Sequence, residues 1–174
     1  ANYTVIGTNT VTGCVSQAVA TCSLIVNPNP IITVNNGTIC AGQNFTINPN
    51  GANTYTIQGA NAVVSPSVNT TYTVIGTNTI TGCRSQSFAT SNLTVNPNPT
   101  VTVSSPVVCN GQSATVTATP GSAGNYSYAW TVPAGVTNPG NVASFNLAAA
   151  VAGTYSVVIT NTTTGCISSS SSGT

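Results

Sequence analysis

The sequence predicts an all-β protein made of tandem sandwich domains, and three observations support this prediction. Thr, Val and Ile dominate the chain, and apolar residues alternate with polar ones at the two-residue period of a half-exposed strand. Asn-Gly and Pro-Gly turn signals interrupt these runs at short intervals. A long motif also recurs at a fixed offset, which indicates that one structural unit is repeated along the chain.

The repeat is clearest where residues 3–10 recur as residues 72–79, an offset of 72 − 3 = 69 residues. A third copy of this motif begins at Tyr155, which lies 155 − 72 = 83 residues after Tyr72. The last repeat is therefore longer than the one before it by 83 − 69 = 14 residues.

Two Asn-Pro-Asn-Pro segments predict the boundaries between repeats. Each Pro removes a backbone donor and pushes the preceding residue into an extended conformation, which disfavours continuation of a strand ladder. We therefore expect three parts in the chain. They are residues 1–30, the C-terminal strands of a preceding repeat plus a linker; residues 31–99, a complete repeat plus a linker; and residues 100–174, a longer repeat that lacks its last strand.

Alternation within the repeats favours short strands over helices. Tyr155, Val157 and Ile159 share one face of a predicted strand, and polar or small residues separate them. The alanine-rich segment 146–152 is the one helical candidate, and we interpret it as a loop or a strand edge.

Two details favour the immunoglobulin-like form of the sandwich. Residues 153–155 match the Gly-x-Tyr pattern of the tyrosine corner, in which a Tyr near the start of strand F bonds to upstream backbone. Trp130 lies where strand C would carry its core tryptophan. Val157 stands where strand F usually carries a cysteine, so the bridge of antibody domains must lie elsewhere.

The composition excludes most catalytic chemistry, because the chain has no Asp, Glu or His and its one cationic side chain is Arg84. General acid–base catalysis, two-carboxylate glycoside hydrolysis and Ser-His-Asp or Cys-His catalysis all need residues that are missing. Zinc could use the cysteines, but the chain has no Cys-x-x-Cys pair and no His, and calcium sites usually need several carboxylates. We expect no enzyme activity, no cofactor and no metal site.

The same composition restricts the possible partners and location. One arginine cannot neutralise a nucleic-acid backbone, and no apolar run approaches the roughly 18 residues of a spanning helix. Six cysteines in an uncharged, Thr-rich chain indicate an oxidising compartment, so we expect a secreted or cell-surface location. No signal-peptide pattern follows Ala1, so we expect any such peptide to be removed or to lie outside this sequence.

The repeat register predicts how the cysteines pair. We expect one bridge within each of the two longer repeats, and a local third bridge across the last turn of the first part. An internal thioester between Cys and Gln of the Cys-x-Gly-Gln motif is an alternative, which we disfavour because both cysteines have obvious partners. The expected pairs are Cys40 with Cys83, Cys109 with Cys166, and Cys14 with Cys22.

The order of motifs resembles a known repeat type. Cys-x-Gly-Gln, a Thr-rich alternating strand, Thr-Thr-Tyr-Thr-Val and Thr-Gly-Cys resemble the immunoglobulin-like and PKD-like tandem repeats of very large Bacteroidota cell-surface adhesins. Those adhesins are typically exported by the type IX secretion system and include gliding-motility adhesins. The resemblance covers nearly the whole chain and implies an extracellular repeat. It does not specify the role of any one protein.

We expect a non-catalytic structural repeat of an extracellular fibre, filament or adhesin stalk, whose partners are copies of itself or neighbouring repeats. A nearly uncharged surface promotes such association. The alternative function is a glycan- or surface-binding adhesion module. Its aromatic platform would be Tyr126, Tyr128 and Trp130, which alternate along one strand. The competing interpretation, which we favour, is that these three residues belong to the core.

Overall fold

The computed structural model describes residues 1–174 and is all-β, which confirms the predicted fold class of tandem immunoglobulin-like β-sandwich domains joined by short Asn-Pro linkers. No helix in it has the length and apolar character needed to cross a membrane. The strands are β1 (Asn2–Val5), β2 (Ala20–Ser23), β3 (Gly37–Cys40), β4 (Phe45–Thr46), β5 (Thr54–Ile57), β6 (Val63–Val64), β7 (Thr70–Thr77), β8 (Ala89–Asn96), β9 (Val101–Val103), β10 (Ala114–Pro120), β11 (Tyr126–Thr131), β12 (Ser144–Leu147), β13 (Tyr155–Asn161) and β14 (Ser171–Gly173).

The first two strands form an antiparallel hairpin that pairs with no other strand. It is a copy of the β7–β8 hairpin, because both have the same register after the 69-residue offset. Val74 and Leu93 in β7 and β8 are 0% and 2% exposed, whereas their counterparts Val5 and Leu24 are 63% and 52% exposed. The first hairpin therefore has the apolar face that would point into a sandwich core, but no second sheet covers that face.

The second repeat contains a four-stranded sheet in the order β3-β8-β7-β5 and a two-stranded β4-β6 sheet. β3 runs parallel to β8, with Cys40 opposite Asn96 at the end of the pair. Ile47, Val74 and Leu93 are the large apolar side chains that this repeat buries. The parallel β3–β8 pair places Cys40 at the end of the repeat from which the next linker leaves.

The third repeat is a two-sheet sandwich with sheet orders β12-β10-β9 and β11-β13-β14. Inward residues of both sheets alternate with exposed or half-exposed ones, as the sequence pattern predicts. The core cluster consists of Val101, Val116, Ala118, Trp130, Tyr155, Val157 and Ile159.

The predicted tyrosine corner is present. The Tyr155 hydroxyl donates a hydrogen bond of 2.8 Å to the carbonyl oxygen of Val151, four residues upstream. Segment 146–152 begins as the end of β12 and continues as loop, which agrees with the strand-edge interpretation.

The expectation that residues 100–174 lack a last strand is wrong. β14 pairs antiparallel with β13, with Tyr155 opposite Gly173 and Val157 opposite Ser171. The sequence did not predict this strand, because the serine-rich stretch lacks the alternation of apolar and polar residues by which strands are recognised. A small residue is required at the end of β14, since a side chain on Gly173 would clash with the backbone of Ser104.

The division into residues 1–30, 31–99 and 100–174 remains our proposal for the domain boundaries. No strand pair joins one of these segments to another, which supports it.

Candidate functional site: the joint between two repeats

The three aromatic residues of the suggested glycan platform face the core of the third repeat. Trp130 is 5% exposed, and its ring packs edge-on against Phe145 with centroids 5.1 Å apart. Its indole nitrogen donates to the carbonyl oxygen of Val142 at 2.8 Å. Tyr126 and Tyr128 are half-buried and pack against the same cluster. Stacking on a sugar needs an exposed aromatic face, so the burial of Trp130 and the partial burial of the two tyrosines favour the core interpretation over the glycan platform.

The disulfide of the structure joins two repeats. Cys40 of the second repeat is bonded to Cys166 of the third, with a Cα–Cα distance of 5.5 Å and a sequence separation of 126 residues. This bond contradicts the expected pairs Cys40–Cys83 and Cys109–Cys166, both of which would lie within one repeat. Cys83 and Cys109 are free thiols in the structure.

Strand direction explains why the expected pairing is wrong. Cys40 lies opposite Asn96, the last residue of β8. Cys83 lies in the turn that precedes β8, beyond Ala89 at its other end. The length of β8, about 20 Å at 3.3 Å per residue, therefore separates the two cysteines of one repeat. A disulfide requires Cα atoms within about 7 Å.

The expected Cys14–Cys22 bridge is contradicted for a similar reason. Cys22 lies opposite Tyr3 in the β1–β2 hairpin, whereas the carbonyl oxygen of Cys14 accepts a hydrogen bond from the backbone nitrogen of Asn9 at the far turn. The extended chain from Tyr3 to Asn9 spans about 20 Å. Both cysteines are free thiols in the structure.

The Asn-Pro linker lies directly beside the inter-repeat disulfide. Cys166 is fully buried and Cys40 is 8% exposed. The carbonyl oxygen of Asn96 accepts a 2.9 Å hydrogen bond from the backbone nitrogen of Ala41, and it lies 3.9 Å from Cys166 Sγ. The side-chain amide of Asn98 donates to the carbonyl oxygen of Ala41 at 3.2 Å. The two repeats and their linker therefore meet at one covalent and hydrogen-bonded joint.

Cys-x-Gly-Gln forms the turn that presents Cys40. The backbone nitrogen of Gln43 donates to the carbonyl oxygen of Cys40 at 3.0 Å, and Gly42 has a φ of +79°. A positive φ at the third position is the signature of a type II turn and favours glycine there. Because Cys40 is already bonded, it is not available for a thioester with Gln43. The copy of this turn at Cys109 and Gln112 has an equivalent hydrogen bond of 3.1 Å.

The turn that presents Cys166 is built on an asparagine side chain. The Oδ1 atom of Asn161 accepts hydrogen bonds from the backbone nitrogens of Thr163 and Thr164 at 2.9 and 3.1 Å. Gly165, with a φ of +74°, donates its backbone N–H to the carbonyl oxygen of Asn161 at 2.8 Å. These local hydrogen bonds fix the conformation of the turn that places Cys166 at the end of the third repeat.

Sequence reasoning missed Asn161 as a positioning residue. A signal was available, because Asn-Thr-x-Thr-Gly-Cys occurs three times, at residues 9–14, 78–83 and 161–166. An asparagine at the same place in three turns indicates an Asx-turn rather than a random polar loop.

No protein-family model and no curated protein matches the chain. Among solved structures, it is similar to the fibronectin(III)-like modules of Clostridium thermocellum CbhA, with TM-score 0.36, 17% identity and coverage of 82% of this chain and 92% of that one. Three immunoglobulin domains of titin give TM-score 0.38, 13% identity and coverage of 85% and 66%. The four N-terminal immunoglobulin domains of a Dscam1 isoform give TM-score 0.35, 10% identity and coverage of 99% and 54%. Likenesses this weak carry no argument about family or function.

The chemistry available at the joint is thiol–disulfide chemistry. The joint contains no carboxylate or imidazole because the chain has none, and the only cationic side chain, Arg84, is exposed. Hydrogen bonds and one covalent bond therefore hold the joint together without ion pairs. Such a joint is insensitive to salt and can be opened by reduction.

Proposed function

We propose that this chain is a non-catalytic structural repeat of an extracellular surface fibre, filament or adhesin stalk. The observation that carries the proposal is the Cys40–Cys166 bond, because it joins one repeat to the next beside a linker that is itself hydrogen-bonded to the second repeat. In the chain-entropy model, a bridge across 126 residues restricts the unfolded state by about 5 kcal/mol. A spacer that must keep its shape outside the cell gains from a fixed joint.

The composition supports the same proposal. The disulfide fits an oxidising compartment, which favours a secreted or surface-exposed protein. Arg84 offers trypsin its one cleavage site, and the rest of the surface is uncharged. The motif order further supports a repeat of the type found in large Bacteroidota adhesins exported by type IX secretion.

The alternative, a glycan- or surface-binding adhesion module, has less support. Its candidate residues were Tyr126, Tyr128 and Trp130, and these pack against the core of the third repeat. No other exposed cluster of aromatic rings replaces them: of the aromatic side chains, Tyr3 and Phe88 are the ones in the exposed class, and they lie in different segments.

Immunogold electron microscopy of native material tests the proposal. Antibodies against residues 31–174 should label extracellular filaments along their length. Labelling confined to filament tips, together with binding of the purified chain to immobilised glycans, would support the adhesion module instead. Labelling inside the cell would contradict both functions.

A further inference from the structure

We infer that the Cys40–Cys166 bond is one member of a series of identical bonds between repeats. In this series, the Cys-x-Gly-Gln cysteine of each repeat bonds to the Thr-Gly-Cys cysteine of the next repeat. Cys14 and Cys83 each bond to a Cys-x-Gly-Gln cysteine of another copy of this repeat, and Cys109 bonds to a Thr-Gly-Cys cysteine. The partner is therefore a repeat of the same type, and the inference rests on the proposed structural function for the presence of such neighbours.

The first argument is that three turns present their cysteines in the same way. In each turn an asparagine Oδ1 accepts two backbone N–H groups, and a glycine with φ near +70° precedes the cysteine. The backbone nitrogens of Asn9, Asn78 and Asn161 donate to the carbonyl oxygens of Cys14, Cys83 and Cys166 at 2.8, 2.8 and 2.9 Å.

The second argument is that Cys83 already has one part of the surroundings that Cys166 has in its disulfide. Its Sγ atom lies 3.8 Å from the carbonyl oxygen of Asn27, just as Cys166 Sγ lies 3.9 Å from that of Asn96. Asn27 and Asn96 occupy the same position in consecutive repeats, since 96 − 27 = 69. In the second repeat, Asn96 lies opposite Cys40 in the β3–β8 pair. The place beside Asn27 is therefore where a Cys-x-Gly-Gln cysteine would meet Cys83.

The third argument is that Cys109 is presented like Cys40. Gly111 and Gly42 have φ values of +80° and +79°, and the same backbone hydrogen bond closes both turns. Cys109 is exposed and borders a groove of about 500 Å³ that includes Tyr155 in its lining, so a second repeat can approach it.

Cys22 does not belong to the series. It occupies the position of Ser91, which is fully buried and donates its hydroxyl to the carbonyl oxygen of Asn35 at 2.6 Å. A cysteine at such a position behaves as a small apolar side chain. Cys22 is exposed on the uncovered first hairpin, but the covering layers of a complete repeat would bury it as they bury Ser91, so it serves as an internal control in native material.

Each new bond forms by two thiol–disulfide exchanges with a disulfide oxidant, either a small-molecule disulfide or an oxidised protein dithiol of the extracytoplasmic compartment. The first protein thiolate attacks the oxidant, so that a mixed disulfide forms and one oxidant thiolate leaves. The second protein thiolate then attacks the protein sulfur of the mixed disulfide and releases the other oxidant thiolate. Two protein thiols are oxidised, one oxidant disulfide is reduced, and the two released thiolates take up the two protons.

Disulfide mapping of native material tests the inference. Free thiols are blocked with an alkylating agent during extraction, the unreduced protein is digested with a protease that does not depend on Arg or Lys, and linked peptides are identified by mass spectrometry. The Cys40–Cys166 peptide pair is the positive control. The Cys83 peptide should be linked to a Cys-x-Gly-Gln peptide, and the Cys109 peptide to one containing Thr-Gly-Cys. Where the first repeat is complete in the native material, Cys22 should be alkylated only after unfolding, because the covering layers would then bury it.

Several outcomes would overturn the series. They are a Cys40–Cys83 or Cys109–Cys166 linkage, alkylation of Cys83 or Cys109 in the native material, and a Cys14–Cys22 linkage. The mass of the protein before and after reduction identifies the source of the partner repeat. A mass that rises only by the two hydrogens added to each reduced disulfide places it in the same polypeptide, and a much lower mass after reduction places it in a separate copy. Filament labelling is read out independently, so failure of the bond series is distinguishable from failure of the proposed function.

Discussion

At the scale of single residues, the Tyr155 hydroxyl links the start of β13 to the loop before it. Replacing Tyr155 with Phe removes the 2.8 Å hydrogen bond to Val151 and leaves the aromatic ring in the core. We expect the Tyr155→Phe variant to lose about 1 kcal/mol of unfolding free energy. Urea denaturation followed by circular dichroism measures this loss.

The matched control for this variant is Tyr72→Phe. Tyr72 opens the corresponding segment of the second repeat, is half-buried, and makes no side-chain hydrogen bond. Its loss of stability should be close to zero. Equal losses in both variants would show that the hydroxyl of Tyr155 contributes nothing specific.

Asn161 is a second residue whose effect is local and measurable. The Asn161→Ala variant leaves the backbone N–H groups of Thr163 and Thr164 without their acceptor. We expect a loss of about 1 kcal/mol in the third repeat, because the turn is exposed and water replaces part of each bond. The fluorescence of Trp130, the single tryptophan, reports unfolding of that repeat.

Asn146→Ala is the control for the turn variant, since Asn146 is exposed on β12 in the same repeat. It should leave the unfolding midpoint unchanged within error. If Asn161→Ala also left the midpoint unchanged, the Asx-turn would not be holding Cys166 in place.

At the scale of secondary-structure elements, the two equivalent hairpins should differ in stability. β1–β2 has the same register as β7–β8, but it lacks the covering layers that bury Val74 and Leu93. A lone two-stranded hairpin is marginally stable in water. We expect the amides of β1 and β2 to exchange with deuterium far faster than those of β7 and β8 in the 174-residue chain.

Hydrogen-exchange mass spectrometry makes this comparison within one sample, so solvent and temperature act equally on both hairpins. Equal protection would mean that the first hairpin is covered in solution, for example by a second copy of the chain.

The secondary-structure elements also show which features of the fold can be predicted from the sequence. The tyrosine corner was predictable because Tyr155 and its acceptor Val151 are four residues apart. The pairing of Cys40 was not, because it depends on the parallel alignment of β3 with β8, which places the cysteine at the linker end. Apolar alternation locates strands, but it does not state their direction or their neighbours in a sheet. β14 was not predicted because its serine and glycine residues show no such alternation.

At the scale of the whole molecule, the absence of carboxylates and imidazoles determines the response to pH. The pH dependence of unfolding free energy follows the difference in bound protons between the unfolded and native states. The chain has no Asp, Glu or His side chain that could create such a difference in mildly acidic solution. We therefore expect the same urea midpoint at about pH 5 and about pH 7, where most proteins show a slope.

Salt provides the companion measurement, because screening acts on charge pairs that this chain lacks. The midpoint in dilute sodium chloride should match that in moderately concentrated sodium chloride. A clear pH shift would point to a titrating group that the amino-acid sequence does not encode, such as a covalent modification.

The bond between Cys40 and Cys166 also changes how the chain carries mechanical tension. A pulling force that enters at residue 1 reaches Cys40, crosses the sulfur–sulfur bond and continues from Cys166 towards residue 174. The segment between the two cysteines, which are 126 positions apart, contains most of both sandwich repeats and lies outside this path. Stretching the oxidised chain cannot lengthen it by unravelling those strands, whereas reduction returns them to the line of force.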